Sequence, residues 1–327
     1  MPPPARARRA RRIAVCLDRR SSASVEILRG VLDFARPRGW MIVDDHETAI
    51  DGIITDDCRP ADTPRPFPAV TVSAGWMGTG DVRLDSAAAE SLVGQHFHER
   101  GFKGWTHAPE DSAALPRLSA CFVTDDAAGL ALIRSLHSLG RGVPGEVAVL
   151  SLGNDLLTCE RSAVPISSVD PNARGIGRRA AARLSRLLRK QPVDTFDLVP
   201  PAGVVTRAST DVLAIEDEEV AAAVSYIRQH AAGPVRIGDL MRITMLDRRT
   251  LERRFTKALG RSPMAVLRQL RASRAAEWLR TSDRSVAEIA TACGFKLPQH
   301  LTAAFKQFYA QSPSDYRRIF VEPDERG

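Results

Sequence analysis

Five cations crowd the ten-residue stretch RRTLERRFTK: Arg248, Arg249, Arg253, Arg254 and Lys257. Leu251, Phe255 and Leu259 recur every four positions, so a helix here buries one apolar face and gathers the cations on what remains. Like charges three and four residues apart repel, by about 0.2–0.5 kcal/mol per pair. An anionic partner offsets that cost.

The elements around this stretch form a helix-turn-helix unit. In VRIGDLMRITMLDRRTLERRFTKALG, a short helix near Ile237–Ile243 precedes a turn at Thr244–Leu246. Asp247 stands where an N-cap belongs, and Arg248 opens the second helix. A second such unit lies in RSVAEIATACGFKLPQHLTAAFKQFYAQSPSDYRR. There Ser285–Ala292 is the first helix and Gly294 supplies a left-handed turn. The second helix runs from Leu297 to Tyr309, with Pro298 in its first turn and Leu301, Phe305 and Phe308 on its buried face.

Between the units, PMAVLRQLRASRAAEWLR places Leu267, Leu270, Ala275, Trp278 and Leu279 on one broad face. At 1.5 Å per residue this helix is about 26 Å long. It can hold the two second helices about one turn of DNA apart, ~34 Å. The cations then face phosphates and base edges in the major groove. A solvated basic bundle is the competing reading for either unit alone, and two units at this spacing argue against it.

Charge is divided accordingly. Between Arg228 and Arg318 there are 18 lysines and arginines against 7 acidic residues, and residues 1–12 add five arginines. The whole chain carries only +7, so the remainder is net acidic. Such asymmetry implies a polyanion for one part of the chain. Residues 1–12 read as a disordered basic arm, with a solvated tail of no role as the alternative. No apolar run approaches the ~18 residues needed to span a bilayer, and the N-terminus lacks the apolar core of a signal peptide.

From Arg12 to about residue 210 the chain alternates β-branched strands with helices. RIAVCL, DGIITD, AVTVS, SACFVTDD and EVAVLSLGN read as strands, with DLVPPAGVVTRAST as the last strand-like piece. Helices lie at SVEILRGVLDFARPRGW, DSAAAESLVGQHFHERGF, AAGLALIRSLHSLGRGVP and ARGIGRRAAARLSRLLRK. The fold expected is α/β, a doubly wound parallel sheet, followed by an all-α domain with two helix-turn-helix units. Near Asp211–Glu219 the pattern changes. The expected domains are therefore 13–213 and 214–320, with a tail at 321–327.

No P-loop, no GxGxxG after the first strand and no GxSxG occurs, so no catalytic residue and no cofactor is called for. Cys16, Cys58, Cys121, Cys159 and Cys293 form no CxxC pair, which fits reduced thiols in a cytoplasm. His96 and His98 read as solvated residues at a helix end, and no metal site is expected.

RRTLERRF, SVAEIATACGF and SPSDYRR together resemble the DNA-binding domain of AraC-type transcription factors, over residues 218–320. That resemblance makes Arg249, Glu252 and Arg253 base readers in the first groove, with Arg248 and Lys257 beside them. Pro298, Gln299, Thr302 and Ala303 take the reading positions of the second unit. Gln299 suits adenine, while Lys296 and Lys306 suit phosphates. Ala303 replaces the arginine of many relatives, and FYAQSP lacks their glycine before Ser-Pro.

ILRGVLDFARPRGW, HFHERGF, CFVTDDAAGLALIRSLHSLGRGVPGEVAVLSLGND and PISSVDPNARGIGRRAA resemble the sugar-binding core of LacI-type repressors and periplasmic binding proteins. By that resemblance Asp126, Asn154 and Asp155 contact a sugar, with Asp18 and Trp76 as further candidates. A cap or turn role is the other reading of each. Two departures stand out. The stretch between GWMIVD and DGIITD is too short for a helix, and KGWTHAPEDSAALPR stands where a strand and a helix are expected.

A LacI-like sensor ahead of an AraC-type reader implies a cytoplasmic, nucleoid-associated activator of carbohydrate genes, controlled by a pentose such as xylose. Its implied partners are double-stranded DNA, a sugar, a second copy of the chain and RNA polymerase, without a membrane. A ligand-blind regulator whose shortened sensor serves dimerisation is the alternative.

Overall fold

The computed structural model describes residues 10–18, 21–43, 49–56, 67–109, 111–309 and 311–320. Most of the expected arm, the tail at 321–327 and Cys58 lie outside the described residues. The strands are β1 (Arg12–Cys16), β2 (Met41–Val43), β3 (Gly52–Asp56), β4 (Ala69–Ser73), β5 (Val82–Leu84) and β6 (Thr106–His107). They continue with β7 (Ser119–Phe122), β8 (Val147–Leu152), β9 (Ser167–Asp170), β10 (Asp197–Val199) and β11 (Gly203–Val205). One sheet has the order β10-β5-β4-β3-β1-β2, parallel throughout. The other has the order β11-β9-β8-β7-β6, parallel from β8 to β6, with β11 antiparallel to β9.

Two expectations change. DLVPPAGVVTRAST is two strands in different sheets, because Pro200 and Pro201 between them have no N–H for a ladder. KGWTHAPEDSAALPR keeps a two-residue strand, β6, and one 3-10 turn at Ser112–Ala114. Here only the helix is missing, not the strand.

The α/β region's helices are α1 (Ser22–Ala35), α2 (Ser86–His98), α3 (Asp126–Ser138), α4 (Leu156–Glu160) and α5 (Ala173–Leu188). The chain groups into two compact units. One holds residues 1–91, 123–131 and 151–207, the other 92–122, 132–150 and 208–327. In the first, Ile13, Val31, Ile54, Val70, Ile176 and Leu184 form the core. Helices α1 and α5 cross there at glycines. A Cβ on Gly30 would lie 2.0 Å from the Arg174 carbonyl oxygen, and one on Gly177 2.0 Å from that of Ile27.

The second unit carries α6 (Glu218–His230), α7 (Ile237–Thr244), α8 (Arg248–Leu259), α9 (Pro263–Thr281), α10 (Val286–Ala292), α11 (Pro298–Tyr309) and α12 (Pro313–Phe320). Helix α9 serves two cores rather than one face. Leu267 packs with Val224, Leu251 and Phe255. Ala272, Ala275 and Leu279 pack with Ile289, Leu301 and Phe305. Its 19 residues span about 28 Å at 1.5 Å each.

Candidate functional site

Helix α8 starts where Asp247 caps it, accepting from the Thr250 N–H at 3.0 Å and its hydroxyl at 2.7 Å. Those bonds, the hydroxyl's above all, hold the Asp247 carboxyl below the usual range. Met245 precedes it in the left-handed conformation, turning the chain between α7 and α8. Leu251, Phe255 and Leu259 are buried, and this orientation presents Arg249, Arg253 and Lys257 as exposed side chains. Arg248 Nε donates to Glu252 Oε1 at 2.9 Å. The expected reader Glu252 is thus held by its own helix.

Arg254 leaves the cationic face. Its Nη1 lies 2.9 Å from Glu219 and 3.4 Å from Asp217, the N-cap of α6. At 100° per residue Arg254 falls beside the buried stripe, where the acidic start of α6 neutralises it. The opening group of five cations is therefore four on the free face.

Helix α10 begins with a reciprocal cap: Glu288 N–H donates to Ser285 Oγ at 3.2 Å, and Ser285 N–H to Glu288 Oε2 at 2.8 Å. Gly294 follows with φ +83°, and α11 then buries Leu301, Ala304 and Phe305. Lys296, Pro298, Gln299, Ala303 and Lys306 are exposed. Thr302 is half-buried, its hydroxyl donating to the Pro298 carbonyl at 3.2 Å. His300 is exposed on the same helix and was not singled out by sequence.

The same compact unit contains a polar cluster with no sequence signal. Glu99 Oε1 accepts from Ser273 Oγ at 2.7 Å, Gln95 Nε2 at 3.0 Å and Gln269 Nε2 at 3.3 Å. Gln95 Nε2 also lies 3.4 Å from the Tyr309 hydroxyl. Burial raises Tyr309 to about 12, so it stays a neutral phenol. The end of α2 is thereby joined to α9 and α11. His96, expected in solvent, is instead 5% exposed, with Nε2 2.9 Å from Thr210 Oγ1. Its pKa lies well below the usual value, through burial first and the positive Arg100 and Arg228 second.

The expected sugar contacts all fall in the first unit, at strand ends. Asp126, 5% exposed, accepts from Ser151 Oγ at 2.5 Å, Ser168 Oγ at 2.7 Å and Asp155 N–H at 2.7 Å. Asn154, at φ 54°, accepts at Oδ1 from Arg207 Nη2 at 2.9 Å. Asp155 caps α4 through Thr158 N–H at 2.7 Å and also accepts from Ser22, at the start of α1. Its carboxyl is held below the usual range, chiefly by Thr158. Asp18 donates its N–H to Asp56 Oδ2 at 2.5 Å. Trp76 is half-buried, and its carbonyl accepts from Ser86 Oγ at the start of α2. The structure thus brings Asp155 to the first sheet's first helix and gives Asp126 three internal bonds.

Cys121, Cys159 and Cys293 are buried free thiols, and Cys16 is buried as well. Burial raises Cys121 and Cys293 to about 11 and Cys159 to about 12, so they are un-ionised at neutral pH. Among the described residues no cluster of His, Cys, Asp and Glu is arranged to hold a metal, and no helix is long and apolar enough to cross a membrane.

Residues 240–319 match the helix-turn-helix domain family and residues 70–210 the periplasmic binding protein-like domain family. The chain joins a periplasmic binding protein-like domain to an AraC-type helix-turn-helix domain. Over 226 residues it is 31% identical to the xylose operon regulatory protein of Escherichia coli (strain K12), covering 67% of this chain and 57% of that protein. The protein of the same name from Haemophilus influenzae is 31% identical over 205 residues, 62% of this chain and 53% of that one. The chain spans just over half the length of these curated relatives. The solved structure of the xylose-binding transcription activator xylR shares the fold, with TM-score 0.52 at 23% identity, over 96% of this chain and 100% of that one.

Proposed function

We propose that the chain is a sugar-responsive, sequence-specific DNA-binding regulator that activates carbohydrate-metabolism genes from the cytoplasm. One observation carries this reading: α8 and α11 each bury an apolar stripe and leave positive charge exposed, Arg249, Arg253 and Lys257 on α8 and Lys306 on α11, with one helix, α9, packed into both cores. Arg249, Arg253 and Lys257 on α8 meet one major-groove segment, and Lys296, Gln299 and Lys306 meet the next. The names of the relatives support a pentose, xylose first, as effector. A homodimer engaging RNA polymerase on DNA is the working form.

Asp155, Asn154, Asp18 and Trp76 contact the sugar hydroxyls and ring, and Asp126 positions Asp155 through its amide. Helix α2 starts at Ser86, bonded to the Trp76 carbonyl, and ends beside Gln95 and Glu99, which grip α9. Thermal unfolding against a panel of aldopentoses and hexoses tests the sensing half. A sugar at 100 times its dissociation constant adds about 2.7 kcal/mol. Stabilisation by a pentose is expected; no shift with any sugar, in a protein that melts cooperatively, overturns sensing.

A further inference from the structure

The stretch KGWTHAPEDSAALPR, which lacks its expected helix, borders a pocket of about 850 Å³ in the second compact unit. The other walls are residues 214–217, ahead of α6, and the second half of α8. The volume falls within the roughly 300–1,000 Å³ of small-molecule sites. Phe102, Trp105, Leu115, Leu118 and Ile215 supply its apolar surface. Trp105 is half-buried and meets Phe122 and His107 edge to face, with ring centroids 5.8 and 5.3 Å apart. Leu118 is 47% exposed, with φ 57°. An indole and a bare leucine on one pocket suit a flat apolar body.

Charge specifies the rest of the occupant. Among the described lining residues, Arg254 is paired with Asp217 and Glu219, and Arg117 with Glu146 at 3.2 Å. Lys103 and Lys257 are exposed and form no ion pair among the described residues. On the acidic side, Asp217 is taken by Arg254 and by the Val220 N–H, which leaves the exposed Glu216. Two uncommitted lysines against one uncommitted glutamate leave a single net positive charge, the complement of a monoanion. Lys257 also belongs to the free face of α8, so an anion held there competes with DNA for it.

We propose that this pocket is a second ligand site, separate from the sugar contacts, for a small aromatic carboxylate. The ring lies against Trp105 and Leu118, the carboxylate meets Lys103 and Lys257, and binding withdraws Lys257 from DNA. The site stands independently of the DNA-binding reading; its effect on DNA rests on that reading.

Naphthoate and its neutral isostere naphthamide are the probes, titrated by calorimetry into the full chain. Naphthoate is expected to bind, and naphthamide about tenfold more weakly, for want of the charge-assisted contact. K103Q/K257Q should weaken naphthoate by about tenfold and leave naphthamide unchanged. L118G, whose glycine adopts φ 57° freely, should weaken both probes by about tenfold. No binding of naphthoate at about 1 mM, equal binding of the two probes, or wild-type affinity in both variants each overturns the site. Matched thermal melts establish that the variants fold.

A duplex selected from a random pool by the wild-type protein tests the coupling. Naphthoate should weaken its binding, and L118G should need about tenfold more naphthoate for the same loss. Naphthoate bound with DNA affinity unchanged overturns the coupling through Lys257. A protein that binds naphthoate but selects no duplex overturns the DNA-binding reading and leaves the site standing.

Discussion

Helices α8 and α11 and the hydrogen-bonded cluster around Asp126 treat charge in opposite ways. On α8, Arg249, Arg253 and Lys257 stand exposed, as do Lys306 on α11 and Lys296 just before it. In that cluster, Asp126 is buried and spends its carboxylate on two serine hydroxyls and one amide. Exposed charge held at a repulsive density calls for something outside the molecule. Satisfied, buried charge is architecture. The same comparison separates Arg253 from its neighbour Arg254, which is absorbed by Asp217 and Glu219.

Substituting Asp126 by Ala tests the contrast most severely. The Ser151 and Ser168 hydroxyls and the Asp155 amide then lose a buried acceptor, each loss costing about 1–3 kcal/mol. The expected fall in stability is about 3 kcal/mol, read by chemical denaturation. Wild-type stability with sugar binding abolished would break the comparison and make Asp126 a ligand contact. Arg253→Ala is the converse. It should cost about 1–3 kcal/mol in DNA binding and relax one base position, while stability stays within about 0.5 kcal/mol. Unchanged affinity and preference would remove α8 from the groove.

His96 extends the contrast to a group that titrates. Its folded pKa is depressed, so the folded protein resists a proton that the unfolded chain accepts below about pH 6.5. The stability linked to neutral His96 is present in full above that pH. It is lost as pH falls, by about 1.4 kcal/mol per unit, down to the folded pKa. His96→Gln should flatten this slope in denaturation curves between pH 7.5 and 5. An identical slope would mean that the ring is not buried in solution.

The helix-turn-helix units were legible in the chain because their signals are local. Asp247, Ser285 and Gly294 are caps and turns that act within a few residues, and the four-residue apolar repeat fixes which side of α8 is left for cations. The alternation of strands and helices was legible for the same reason, since burial on both faces writes itself as β-branched runs. Site chemistry in the α/β region was less so. An Asp at a strand end reads identically whether it binds a sugar or a neighbouring serine.

By itself, then, the sequence determined the helices of the two helix-turn-helix units, their caps and the side of α8 left for cations, all properties of contacts within one or two turns. Only the tertiary structure decided which charges remain available. Arg254 is removed by residues 35 and 37 positions away, Glu99 is tied to Ser273 across 174 positions, and His96 is buried against Thr210 across 114. A side chain's hydrogen-bonding capacity is spent on whatever the fold brings within about 3 Å, and no local pattern records who that neighbour will be.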